Sequence, residues 1–131
     1  MATALKLIDK TPGKGESTAW ILEVTEPILT AREILRRRVF EEVTRFNAKL
    51  SEVFQGLVQP TDTERVLNGY KLKKPRRLDW NEQFEQSIKA FERRTFLLIV
   101  GDRQVEQLDE ELMLSPETEV TFLKLVPLVG G

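Results

Sequence analysis

Cysteine and histidine are both absent from the 131 residues. Without them there are no thiolate nucleophiles, no Ser-His-Asp triads and no Cys/His zinc sites. Paired carboxylates remain available for acid–base work, yet no Asp/Glu pair stands apart from the solvated charges. A glycine-rich phosphate loop is missing too, since Gly13-Lys14-Gly15 lies in a hairpin turn and not at a strand-to-helix junction. Neither an enzyme nor a bound cofactor is expected. Long apolar runs are also lacking, which excludes a membrane-spanning helix. The opening "MATALKLIDK" has no basic-then-apolar leader layout. A cytoplasmic location is the resulting expectation, resting on the missing signal.

What remains is an ordinary globular composition, 40% hydrophobic and 31% charged, with a net charge of -1. That balance gives no global attraction to nucleic acid or anionic membrane. The length suits one domain, 1–131, with a core of its own.

Along the chain, "ALKLID" (Ala4–Asp9) and "TAWILEV" (Thr18–Val24) read as strands joined by the Pro- and Gly-bearing turn "KTPGKGES". Thr30 with Glu33 three residues on is a capping box. Ile34, Leu35, Val39, Val43, Phe46, Leu50 and Phe54 then follow one helical face, and Gly56 offers a stop. Arg36, Arg37 and Arg38 lie mostly off that stripe and read as a solvated face.

Between Leu57 and Asp79 two readings stand. "VLNGYKL" suits an Asn-Gly hairpin, and "TDTERVLNG" suits a short capped helix ending on Gly69. "KLKKPRR" (Lys71–Arg77) is either a contact for phosphate or an acidic partner, or a solvated connector. No aromatics interleave with it, so the connector is preferred and nucleic acid is not an expected partner.

Asp79 and Glu82 repeat the capping pattern, and Phe84, Ile88 and Phe91 predict a second amphipathic helix over "DWNEQFEQSIKAFERR", with Trp80 at its start. "TFLLIV" (Thr95–Val100) is a continuous apolar strand, expected to be buried on both faces or nearly so. "EQLDEELMLSPETE" is irregular, with Leu108, Leu112 and Leu114 pointing inward, and "VTFLKLV" (Val120–Val126) is the last strand. Strands at both ends with helices between them give an α+β class, a mixed sheet covered by a long helix.

The order of these elements resembles the ubiquitin-like β-grasp superfamily, which includes ubiquitin and the small sulfur carriers. The opening hairpin with "VTEPILTAREIL" looks like ubiquitin's second strand, Glu-Pro bend and Thr-capped helix. "FLLIVGDRQV" looks like its strand-glycine-strand segment. "SPETEVTFLKLVPLVGG" is similar to sulfur-carrier endings, an acidic turn, a strand, an apolar tail and Gly-Gly. The resemblance spans residues 3–50 and 95–131 and leaves 51–94 as an insertion relative to the minimal fold.

The resemblance implies a non-catalytic protein modifier. Its terminal carboxylate, on Gly131 beside Gly130, is adenylated by an activating enzyme that consumes ATP, then passed through a thioester to a target protein. A conjugating enzyme and a deconjugating protease are further implied partners. Pro127, Leu128 and Val129 would be gripped by the activating enzyme, and glycine's missing Cβ opens the reacting carbonyl to approach. Two alternatives stand beside this: a sulfur carrier bearing a thiocarboxylate, and a non-covalent binding module. Leu98, with Leu123 or Leu125 beside it, is a candidate apolar partner patch, with burial of Leu98 as the competing reading. Lys6, Lys49 and Lys89 are acceptor lysines that nothing distinguishes.

Overall fold

A computed structural model of the chain describes residues 2–13, 15–67 and 69–125, with backbone alone for 15–19. In chain order the elements are β1 (Thr3–Thr11), β2 (Gly15–Val24), β3 (Ile28–Thr30), α1 (Ala31–Lys49), β4 (Val53–Phe54), β5 (Thr63–Val66) and β6 (Gly69–Leu72). There follow α2 (Trp80–Glu92), β7 (Phe96–Val100), β8 (Arg103–Val105), β9 (Glu111–Met113) and β10 (Glu119–Lys124). The class is α+β. The chain divides into two compact units, one of residues 1–34 with 91–131, the other of residues 35–90.

The first unit is built on a five-stranded mixed sheet in the order β2-β1-β10-β7-β8. β1 and β2 form the expected hairpin, in register from Thr11↔Gly15 to Thr3↔Val24, with a shift between Leu7 and Ile8. Gly13 turns the chain at φ +83°, a conformation that costs glycine little. β10 lies between β1, to which it is parallel, and β7, to which it is antiparallel. Gly101, at φ +65°, turns β7 into β8.

Leu5, Leu7, Phe96, Leu98, Val105, Val120 and Phe122 are all no more than 3% exposed and form one apolar face. Side chains on a strand alternate between faces. Leu97 and Ile99 are accordingly half-buried, so β7 is buried on one face and not on both, contrary to the reading of "TFLLIV". A short pair that the sequence reading missed, β3 with β9, sets Leu29 against Leu112, and both are buried. Leu108 is buried as expected, while Leu114 is half-buried.

The start of α1 belongs to this unit and is tied to it. Thr30 Oγ1 accepts the Glu33 N–H at 3.2 Å, as the capping box requires. The Ala31 and Arg32 amides donate to the carbonyls of Glu110 and Leu108 at 3.1 and 2.8 Å. Those donors have no partner inside the helix and would otherwise need water.

In the second unit α1 continues to Lys49, where Leu50 adopts φ +48° and ends it. Gly56 is therefore not the stop. Its role is close approach: a Cβ there would lie 2.2 Å from the Phe54 ring and 2.6 Å from the Glu42 carboxylate. Leu50 leaves the apolar stripe and is 48% exposed, while Phe54 sits in β4 with its ring edge-on to Phe46 at 5.4 Å.

The stripe itself holds a surprise. Arg38 is 2% exposed, so the three arginines are not a uniformly solvated face. Its Nε donates to Glu42 Oε1 at 2.5 Å, and Glu42 Oε2 accepts the Leu57 N–H at 3.0 Å. One buried carboxylate thus satisfies a guanidinium and an orphan amide together.

β4, β6 and β5 make a small antiparallel sheet in that order. The hairpin β5–β6, in register from Thr63↔Leu72 to Val66↔Gly69, decides between the two readings of this stretch and excludes the short helix. Asn68 itself lies outside the described residues. Burial raises the Tyr70 pKa above its ordinary value; Arg65 opposes that shift and Glu42 adds to it.

α2 starts one residue after Asp79, whose Oδ1 accepts the Asn81 N–H at 2.9 Å. Its buried row differs from the expected one. Gln83 and Ser87 are at most 3% exposed, while Phe84 and Ile88 are half-buried. The polar pair is satisfied locally: Gln83 Nε2 donates to the Val58 carbonyl at 3.3 Å and Ser87 Oγ to that of Phe84 at 2.6 Å.

Truncating one member of a buried ion pair strands the other, at about 3–5 kcal/mol. Glu42→Ala should therefore lower the urea midpoint far more than Glu41→Ala on the neighbouring exposed pair with Arg45. Joint replacement by Arg38→Met and Glu42→Leu should recover most of the loss.

Candidate functional site

Pro127, Leu128, Val129, Gly130 and Gly131 all fall outside the described residues. What the structure gives is the base from which they follow. β10 has a hydrogen-bonded neighbour on each side, ending at Lys10↔Leu123 against β1 and at Lys124↔Phe96 against β7. One residue on, the Leu125 amide still donates to the Thr95 carbonyl at 3.1 Å. Lys124 Nζ stands 4.0 Å from Asp9 Oδ2, a further link between the last strand and the first. The backbone is thus held up to Leu125 by the middle of a sheet.

The candidate apolar patch needs revision. Leu98 is 2% exposed and faces inward with Phe122, its partner in register. Burial is the correct reading for it. Leu123, paired with Leu97, lies on the opposite face, where both are half-buried along with Ile99. Leu125 is 37% exposed. A patch on this unit therefore runs through Leu97, Ile99 and Leu123. Alternation within "FLLIV" carried the signal, but a continuous apolar run hides which of its two faces is the wet one.

Beside β7 and β8 the first unit also holds a cleft of about 320 Å³, with Phe96, Leu98, Val105 and Leu108 in its lining. At its rim Arg32 Nε pairs with Asp109 Oδ1 at 3.2 Å. Nearby, Arg103 is bound by Glu110, a hydrogen bond that raises its already high pKa further. These charges tie the 106–110 loop to the start of α1 and to β8, a structural use. Among the described residues no group of three or more acidic side chains is placed to hold a metal ion. No helix among them is long and apolar enough to cross a membrane.

The two faces of the sheet at β7 and β10 should respond differently to truncation. Leu98→Ala should cost about 2–5 kcal/mol by urea unfolding, as for a fully buried leucine. Leu123→Ala should cost well under half as much.

No family model matches the chain, and no curated protein or solved structure matches it either.

Proposed function

We propose that this chain is a ubiquitin-like β-grasp protein modifier, activated at the carboxylate of Gly131. Residues 51–94 are taken as an insertion into that single fold. The observation that carries the reading is the position of β10, which enters the sheet between β1 and β7. The described parts of the segments that bear the resemblance support it with the expected elements. The hairpin comes first, and the Thr30-capped helix follows it. β7 and β8 are joined through Gly101, and the last strand runs parallel to the first.

The chemistry follows from what a carboxylate lacks. Direct attack on it must expel an oxide-like group, which is a poor leaving group. Attack by the Gly131 carboxylate on the α-phosphorus of ATP forms an acyl-adenylate and releases pyrophosphate. A thiolate on the activating enzyme then displaces AMP to give a thioester. A target amine finally displaces the thiol and forms an amide.

A rigid base with a long tail suits a partner that must close around the reacting carbon. Six residues beyond Leu125 span up to about 20 Å when extended. Pro127 fixes its own φ and biases Val126 toward extended geometry. Leu128 and Val129 offer apolar contacts along the way.

Intact-mass analysis of the protein isolated from its native host tests this reading. Adducts linked through Gly131 are expected, and Gly131→Ala should abolish them while leaving the melting temperature unchanged. A terminal oxygen replaced by sulfur would identify a sulfur carrier instead. A mass that never changes, or a mature chain extending beyond Gly131, would refute activation at this carboxylate.

A further inference from the structure

The charges are unevenly shared between the two units. Residues 35–90 contain twelve Lys and Arg against eight Asp and Glu, a net +4. The remaining residues contain eight against thirteen, a net −5. Within the positive unit the excess is concentrated in "KLKKPRR". Lys71, Lys73, Lys74 and Arg77 are all exposed, and none has an ion-pair partner among the described residues. Acidic residues do border the run, Glu64 opposite Lys71 in the β5–β6 register and Glu52 and Asp62 through backbone bonds to Leu72 and Lys73, but none of them forms an ion pair with these four cations.

The stretch is held at its start by β6, whose last residue Leu72 pairs with Thr63, and by the Lys73 amide, which donates to the Asp62 carbonyl at 3.3 Å. Arg76 donates to the Thr61 carbonyl. Asn47 on α1 grips Leu78 twice, its Nδ2 donating to the carbonyl at 2.9 Å and its Oδ1 accepting the amide at 2.8 Å. From Lys73 to Asp79 the backbone is non-regular and contains Pro75. Fixed cations along such a segment suit a ligand whose own charges recur along a chain.

The structure also supplies what the linear sequence lacked. Trp80, three residues past Arg77, packs edge-on against Phe40 of α1 with ring centroids 5.3 Å apart at 82°. The Arg36 guanidinium lies 5.9 Å from the Trp80 ring centroid. Phe40 is 42% exposed, a large apolar ring left in water where most phenylalanines are covered. The rings come from α1 and α2, Trp80 opening α2 three residues after the run ends at Arg77.

We infer that residues 35–90 carry a binding surface for single-stranded nucleic acid, with phosphates on Lys71, Lys73, Lys74 and Arg77 and a base against Phe40. An acidic peptide would use the cations alone and gain nothing specific from an exposed flat ring. Bases present a π-face that stacks on such a ring whatever their sequence. The surface is independent of the Gly131 chemistry.

Fluorescence anisotropy of the full chain with a labelled single-stranded 15-mer of mixed sequence tests the inference. Saturable binding tighter than about 100 µM is expected at 50 mM salt. Four phosphate contacts on a single strand give a log–log salt slope of about −2.8, so affinity should fall about 50-fold by 200 mM. The triple variant Lys73→Ala, Lys74→Ala, Arg77→Ala should reduce the slope to about −0.7. Its melting temperature should hold, because those side chains are exposed and unpaired. Phe40→Leu should weaken binding about fivefold or more, one stacked base being the loss. The inference is overturned by any one of four results: no saturable binding at 50 mM salt, an unchanged triple variant, an unchanged Phe40→Leu, or polyglutamate displacing the strand at equal charge.

Discussion

The parallel pairing of β1 with β10 is the contact on which the first unit depends. It joins a strand from the beginning of the chain to one from its end, from Lys6↔Glu119 to Lys10↔Leu123. Everything between must already be folded back for those backbone groups to meet, so the pairing closes a loop of more than a hundred residues. Loop-closure entropy grows slowly with length, and a few well-buried side chains can offset it. Leu7 and Val120, partners in register and both fully buried, supply that burial, with Leu5 and Phe122 beside them. At about 1.5–3 kcal/mol for each fully buried aliphatic or aromatic side chain, the apolar seam outweighs the Lys6–Glu119 pair on the opposite, exposed face. Without β10, β7 and β8 would lose their link to the opening hairpin.

The second unit solves a different problem, how to build a core from 56 residues. Its answer is polar as well as apolar. Arg38 and Glu42 occupy positions that an apolar stripe would fill, and Glu42 holds the Leu57 amide in place. Gly56 is the complement, because only a residue without Cβ leaves room between the Phe54 ring and that carboxylate. A buried pair of this kind contributes little net stability compared with an apolar substitute. Its consequence is geometric: it fixes where the chain leaves β4.

Local signals in the sequence suffice where one rule governs. The Gly13 turn, the Thr30 cap and the strand-forming residues of the first hairpin each rest on backbone or propensity effects confined to a few residues. The misreadings share a cause, which is that the deciding partner is remote in sequence. Arg38 looks solvated until Glu42 and Leu57 are brought together. Gly56 looks like a helix stop until Phe54 is seen beside it. Leu98 looked as suited to a surface as Leu97, because a run of five apolar residues conceals its own alternation. The basic run lacked aromatics only along the chain, since Phe40 lies 31 residues before Lys71. Pro127 to Gly131 lie outside the described residues, and the sheet accounts for how Leu125 is anchored.

These threads meet in β10. The proposed activation needs a tail presented from a base that does not give way when a partner pulls on it, and β10 is bonded on both sides up to that point. Native-state hydrogen exchange measures this directly. Amides of Leu5 to Ile8 and of Val120 to Phe122 should be the slowest in the first unit, exchanging only when its sheet opens as a whole. Fast exchange along β10 while β1 and β7 stay protected would mean that the last strand detaches alone, and would contradict the account.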